Sequence, residues 1–325
     1  MSVTQAPIGS GFGAATTAAE ALAGIDLSGK LALVTGGYSG LGLETTRALA
    51  KAGARIVVPA RSIDKAQSAL AGMGNVEIAA LDLADPGSIE AFSADFLGRH
   101  AKLDILINNA AIMACPLTRD ARGFEMQFAT NHLGHFHLTA RLWQALQRAA
   151  STSPEGGRIV ALSSVGHRRA AVNMADPNFE HRAYDKWDAY GQAKSANALF
   201  ALGAHMRGQA SGIRAFSVHP GGILTDLQRF LPREEQIAMG WMDEQGNINA
   251  LFKSPAQGAS TSVWCATAAA LADRGGVYCE DCDIAQAVPA DSPGWTGVRP
   301  WAMDASLADQ LWRLSETMVG VTYPV

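Results

Sequence analysis

Along most of this 325-residue chain, apolar runs of strand length alternate with segments of helical period, and no other feature constrains the fold as much. The runs are Leu31 to Thr35, Arg55 to Val58, Val76 to Leu81, Ile105 to Ile107, Arg158 to Leu162 and Arg214 to Val218. Leu43 to Ala52 and Ser88 to Leu97 carry the helical period between them. Strand, crossover helix and strand in repetition predict an α/β fold, a doubly wound parallel sheet of about seven strands with helices on both faces. Such a sheet takes its ligands beyond the carboxyl ends of its strands, so the residues just after each apolar run carry the most information.

No internal repeat and no second core with its own linker is visible, so residues 25–325 read as one domain. Residues 1–24, rich in Ala, Gly, Ser and Thr without periodicity, are expected to form a flexible arm. Regularity fades after Thr225. Residues 223–254, with Pro232, Gly240, Trp241 and Gly246, read as a substrate lid, and a helical stretch follows from Pro255 to Ala272. Residues 285–325 read as a C-terminal extension, irregular from Pro289 to Trp301 and helical near Ala305 to Met318. The net charge of −4, spread over 26 basic and 30 acidic residues without long blocks of one sign, argues against nucleic acid or an anionic membrane as partner. No basic start leads into an apolar stretch with a cleavage site, and no apolar run approaches the roughly 18 residues of a membrane span. Four cysteines are too few to staple such a chain. A soluble cytoplasmic protein with a small-molecule partner is expected.

The first strand ends in Thr35-Gly36-Gly37-Tyr38-Ser39-Gly40-Leu41-Gly42 and runs into a helix. Glycines there let the backbone approach a pyrophosphate, held by free N–H groups and the positive end of the helix dipole, so Gly36, Tyr38, Ser39, Gly40, Leu41 and Gly42 are candidate cofactor contacts. A Gly-rich turn alone is common; its place after the first strand gives it weight. The second strand ends in Pro59-Ala60-Arg61-Ser62, without the carboxylate that holds the 2′-hydroxyl of NAD. Arg61, with Ser62, is placed to meet the 2′-phosphate of NADP(H), the plainer reading being a solvated arginine. At Asp82-Leu83 the carboxylate could accept from an adenine amino group or cap a helix before Ser88. Asn108-Asn109-Ala110-Ala111 suggests a backbone passing close to the cofactor, with Asn side chains tying strands together.

Ser164 follows the fifth strand, and Tyr190 and Lys194 are four apart on one helix face. A phenol with an ordinary pKa near 10 is a poor base at neutral pH. The Lys194 ammonium would favour the phenolate and could also hold the nicotinamide ribose, while Ser164 orients the substrate oxygen. By spacing alone, a Tyr-x-x-x-Lys pair is usually superficial. Two patterns are set aside. On a helix His137 points about 140° away from His132, so with His135 they cannot converge on a metal. Cys279 and Cys282 flank two carboxylates that disfavour thiolates, and no matching second pair exists. A G-x-S-x-G elbow, the mark of a hydrolase on this sheet, is also missing.

In their order, the turn at Thr35 to Gly42, Asn108-Asn109-Ala110, Ser163-Ser164, Tyr190-x-x-x-Lys194 and Pro220-Gly221 resemble the short-chain dehydrogenase/reductase family, over residues 27–319. Within it, Pro59-Ala60-Arg61-Ser62, Thr130 to Phe136, Ser163 to His167 and Ser217 to Gly221 are most similar to the retinol-dehydrogenase-like NADP-using reductases. The resemblance implies a Rossmann-like fold and an NADP(H)-dependent oxidoreductase interconverting a ketone or aldehyde and its alcohol, with Tyr190 as acid/base. It implies further that Asn131 holds a water in a proton relay from Lys194, that Pro220, Gly221 and Thr225 bind cofactor, and that the hydride is pro-S. Association as a homodimer or homotetramer along the helices around Asn131 and Tyr190 is also implied. Ala111 stands where the family usually has Gly, and the stretch between Ser164 and Tyr190 is long, which reshapes the substrate mouth.

A largely apolar carbonyl or alcohol substrate is expected between Met113, His167, Tyr184 and Leu224, with the Trp-bearing tail nearby. The competing functions are a non-redox relative (dehydratase or isomerase) and a regulator that binds NADP(H) without turnover. The set Ser164, Tyr190 and Lys194 favours the oxidoreductase.

Overall fold

The computed structural model describes residues 4–153 and 155–325. The six apolar runs become β1 (Leu31–Val34), β2 (Arg55–Ala60), β3 (Val76–Ala80), β4 (Ile105–Asn108), β5 (Gly157–Leu162) and β6 (Ile213–His219). A further parallel strand, β7 (Val277–Glu280), and a short antiparallel one, β8 (Asp283–Ile284), complete the sheet in the order β3-β2-β1-β4-β5-β6-β7-β8. The order reverses between β1 and β4, which opens a crevice at their carboxyl ends. β1 is buried throughout: Ala32 and Val34 join the core on one face, Leu31 and Leu33 that on the other.

The crossovers include α2 (Gly40–Lys51), α3 (Ile63–Ala69), α4 (Pro86–Arg99), α5 (Gly134–Ala150) and α6 (Lys186–Gly208). A short helix, α1 (Ala18–Ala21), precedes them, and α7 (Arg233–Ala238), α8 (Ser260–Thr267) and α9 (Ala305–Val319) follow. α4 starts where Asp85 accepts from the Gly87 N–H and Pro86 fills the first helical position. α9 lies on α5 and α6: Trp312 stacks on Phe200 (6.0 Å, 7°) and meets Phe136 edge-on at 5.0 Å. Gly203 makes room, since a Cβ there would stand 2.9 Å from Trp312. The tail closes with the Tyr323 hydroxyl donating to Phe136 O at 2.7 Å.

The expected loose arm is instead fastened from Gln5 onward; residues 1–3 lie outside the described part. Gln5 Nε2 donates to Tyr278 O (2.8 Å) and Ala285 O (2.7 Å), and its Oε1 accepts from the Tyr278 N–H at 2.9 Å. Asp283 accepts from the N–H groups of Ile8, Gly9 and Ser10. Thr17 and Glu20 cap α1 reciprocally, and Ala18, Ala21 and Leu22 enter the core. The segment lacks periodicity because partners 273 to 280 positions away hold it, rather than an amphipathic face of its own. Replacing Gln5 by Ala leaves the Tyr278 N–H unpaired and should cost about 1–3 kcal/mol in urea unfolding, with faster proteolysis before α1. An unchanged midpoint would show the strap to be energetically idle.

Candidate active site

A cavity of about 1810 Å³ runs across the carboxyl ends of the strands from the Gly-rich turn to the segment 223–254. Small-molecule pockets usually hold roughly 300–1,000 Å³, so this one has room for a dinucleotide and a second molecule.

One end is built from β1 and α2. Gly36 has φ +64°, a backbone that L side chains rarely adopt, and a Cβ on Gly42 would stand 2.3 Å from Gly36 O and 2.5 Å from Asn109 Nδ2. Asn109 Nδ2 donates to Thr35 O at 2.7 Å, and Thr35 Oγ1 accepts from the N–H groups of Asn109 (2.8 Å) and Ala110 (3.0 Å). Sequence reasoning missed this service of Thr35, although its place at the end of β1 beside the first glycine is a signal. Ser39 makes no side-chain cap bond to α2, which leaves first-turn N–H groups available to an anion. Tyr38, Gly40 and Leu41 line the same wall, and Thr225 crosses it, 3.3 Å from where a Cβ on Gly40 would be. This cradle fits a pyrophosphate.

Arg61 projects from the end of β2 into the cleft beside Pro59 and Lys65. Neither cation has an ion pair among the described residues. Lys65 lies in the first turn of α3, three positions after the Ser62 cap. Ser62 is the N-cap of α3 and makes no side-chain cap bond. Asp82 and Leu83 line the opposite wall. Asp82 accepts from the Ala84 N–H at 2.9 Å, while the cap of α4 falls to Asp85. Ala110, Ala111 and Met113 continue the lining in the segment that follows β4.

At the far end, Ser164 caps a single turn (Val165–Arg168), its Oγ accepting from the Gly166 N–H at 3.1 Å. Gly166 lets Tyr190 close in: a Cβ there would be 2.9 Å from Tyr190 Cε1. Lys194 Nζ donates to Leu162 O at 2.9 Å and stands 5.5 Å from the centre of the Tyr190 ring. Burial pushes the Tyr190 phenol up to about 12, against a smaller downward pull from its hydrogen bond with Ser164. Burial also brings Lys194 down to about 7. The sequence predicts that Lys194 draws the phenol down; within the protein's own groups burial, which penalises the phenolate, is the larger effect, and the downward pull comes from Ser164. Asn131 sits in a π-helical turn (Ala129–Leu133) ahead of α5. Its amide is committed at both ends to Ile112, accepting from the N–H and donating to the O, each at 2.9 Å.

Pro220 and Gly221 line the cleft, Gly221 at φ +97° against the Lys253 side chain. Met113 is buried with Tyr190 in one apolar cluster. Three expected pocket residues lie elsewhere. His167 is buried behind the site, where Nδ1 donates to Ser164 O (2.7 Å) and Nε2 accepts from the Arg299 N–H (3.1 Å). Tyr184 is turned away, its hydroxyl donating to Cys115 O and accepting from Gln127 Nε2, both at 2.9 Å. Leu224 is half-buried outside the cavity that its neighbours Ile223 and Thr225 line. Trp187, Trp241 and Phe252 form the wall instead; Trp187, three before Tyr190 on α6, was findable from helical spacing.

The residues set aside have separate partners. His132 bonds Ser315, His135 bonds Thr35 Oγ1 and His137 bonds Glu90. Cys279 and Cys282 are buried free thiols. Among the described residues no helix is long and apolar enough to cross a membrane.

Residues 30–236 match the family model described as short chain dehydrogenase. A Streptomyces antibioticus protein named "Probable oxidoreductase" is 46% identical over 299 residues, 89% of this chain and 97% of its own. Retinol dehydrogenase 11 of Mus musculus is 35% identical over 303 residues, 91% of this chain and 88% of its own. Among solved structures, an uncharacterized protein from Mycobacterium Paratuberculosis superposes with a TM-score of 0.70 at 30% identity, covering 97% of this chain and 99% of that one.

Proposed function

The chain belongs to the short-chain dehydrogenase family, and from that premise we propose that it is an NADP(H)-dependent oxidoreductase interconverting a ketone or aldehyde and the corresponding alcohol in the cytoplasm. The observation that carries this reading is the meeting of Ser164, Tyr190 and Lys194 at one end of a cleft whose other end is a glycine cradle on a helix N-terminus. Bound nicotinamide supplies or accepts the hydride. The α2 N-terminus with Gly36 to Gly42 holds the pyrophosphate, and Arg61, Ser62 and Lys65 hold the 2′-phosphate. Asp82 and Leu83 would flank the adenine, Asn109 to Ala111 would follow the ribose, Pro220 and Gly221 would meet the carboxamide end, and Thr225, packed against Gly40, would close the pyrophosphate cradle.

Ser164 Oγ orients the carbonyl oxygen, and Tyr190 donates the proton to it as the alcohol forms. A phenol held up at about 12 is fully protonated at neutral pH, as reduction requires. Lys194, near 7, can return a proton toward the phenol while bonding the ribose. Asn131 contributes by fixing Ile112 through its amide, and a relay water at its main-chain carbonyl in the π-helical turn would share that oxygen with His135 Nδ1, which donates to it at 3.0 Å.

The test of the cofactor assignment is oxidation of NADPH and, separately, NADH against ketones and aldehydes. Replacing Arg61 and Lys65 by Ala should raise the KM for NADPH about 10- to 100-fold, the loss of one or two charge-assisted hydrogen bonds, and leave that for NADH within about threefold. Equal losses with both cofactors would end the 2′-phosphate assignment.

A further inference from the structure

The substrate end of the cleft is closed by a wall that the lid and the catalytic helix assemble together. Trp187 precedes Tyr190 by one turn of α6 and so shares its face. Glu235 on α7, 48 positions away, accepts from Trp187 Nε1 at 3.1 Å through Oε1 and from Lys186 Nζ at 2.6 Å through Oε2. Trp241 meets Trp187 edge-on (5.9 Å, 81°), and Phe252 lies against Trp241 at 5.8 Å. Tyr190, Met113 and Leu231 bury into the same cluster. Beyond it the rim is apolar and open, with Leu251 82% and Trp295 76% exposed.

The cations near this wall are engaged within the protein, apart from Arg229, which lines the cleft exposed to solvent, donates one N–H to Asp226 O and lies over the Phe230 ring with no carboxylate partner among the described residues. Arg169 pairs with Asp185 and Asp188, Lys186 with Glu235, and Lys253 with Asp281. Arg168 and the two terminal nitrogens of Arg299 donate to main-chain oxygens of the 289–297 loop, while Arg299 Nε is buried without a partner among the described residues. A carboxylate or phosphate on the substrate would have to break one of these arrangements and lose its hydration, or be met by solvated Arg229 alone, where an exposed ion pair contributes little.

We propose that Trp187, held in place by Glu235, selects the substrate, and that this end of the cleft takes a carbonyl compound with a flat, ring-sized apolar body and no acidic group. Trp187 is the specificity residue; Glu235 is a positioning residue that acts through it. The carbonyl rests on the oxidoreductase reading above, whereas the ring and the missing charge follow from the wall.

The experiment uses the full chain with NADPH and three ketones: 2-acetonaphthone, 2-butanone and phenylglyoxylate. Equilibrium dialysis of 2-acetonaphthone against the protein with NADP+ runs beside it and needs no turnover. Trp187→Ala and Glu235→Ala should lower the preference for 2-acetonaphthone over 2-butanone about tenfold or more, through KM rather than kcat. Glu235→Gln, which keeps an oxygen for the indole N–H, should stay within about threefold of the parent preference. Phenylglyoxylate should be the poorest substrate of the three. Equal losses with 2-acetonaphthone and 2-butanone, or failure of Glu235→Gln to rescue, would reduce the wall to a structural part and overturn the proposal. Good turnover of phenylglyoxylate would overturn its exclusion of acidic groups. If no ketone is reduced yet the bicyclic ketone binds and Trp187→Ala weakens that binding, the oxidoreductase reading fails and the wall stands. If ketones are reduced with a preference that neither variant moves, the wall fails and the oxidoreductase reading stands.

Discussion

Replacing Tyr190 by Phe should lower NADPH-dependent turnover about 10²- to 10⁴-fold, the usual worth of a placed general acid, and leave NADPH affinity within about threefold. The change removes one oxygen. The ring keeps its place against Gly166 and in the cluster with Met113 and Leu231, so the fold loses no packing. Ser164 and Lys194 remain, and they can still orient a ligand but have no acid of the right geometry between them. The comparison is made by single-turnover NADPH oxidation at neutral pH together with a binding titration. Retention of more than about a tenth of the parent rate would mean that Lys194 or a water delivers the proton, outside the range expected for a placed acid. A regulator that only senses the cofactor would be indifferent to the change.

The second large effect is at Gly42. A Cβ there meets Gly36 O at 2.3 Å and Asn109 Nδ2 at 2.5 Å, so Gly42→Ala must push the turn off α2 or break the bond from Asn109 to Thr35 O. Overpacking of this kind costs about 1–3 kcal/mol, and the lost hydrogen bond adds about 1 kcal/mol. Because the displaced backbone is the cradle itself, NADPH affinity should fall at least about tenfold, more than the loss of stability alone would cause. Thermal unfolding with and without NADPH separates the two effects: the variant should melt lower and gain less from the cofactor. Gly98→Ala is the control, for a Cβ there meets nothing within 4 Å and Ala favours the α4 helix. If Gly42→Ala melts and binds as the parent does, the turn is not the cofactor's seat.

The sheet was legible because β1, β2, β4, β5 and β6 are largely buried on both faces and must be written as apolar runs, and the half-buried edge strand β3 is apolar at all positions but Glu77. β7 was not, since Val277 to Glu280 is short and ends in a half-buried glutamate. Ser164, Tyr190 and Lys194 could be named because helix period and strand ends fix where those side chains go. His167 and Tyr184 could not be placed: both lie between Ser164 and α6, in a long stretch where no period says which side a side chain faces. His167 looks available in the sequence, yet the C-terminal extension claims it through Arg299 and Trp301. The strap at Gln5 was invisible for the same reason, its partners being at the other end of the chain. Trp187 was different, for it stands at helical spacing from Tyr190, and Lys65 lies in the first turn after the Ser62 cap.

The C-terminal helix has a consequence for self-association. α5 and α6 are the two longest helices among the described residues, 17 and 23 residues, and they are where the family resemblance leads one to expect subunit contacts. In this chain Trp312 and Tyr323 already fill the groove they form, stacked on Phe200 and bonded to Phe136. A second copy approaching that groove competes with a tail whose effective concentration no free subunit matches. Assembly must therefore use other faces or dislodge residues 305–325, which makes the seating of the tail, rather than the chemistry of the two helices, the step that decides whether copies meet there.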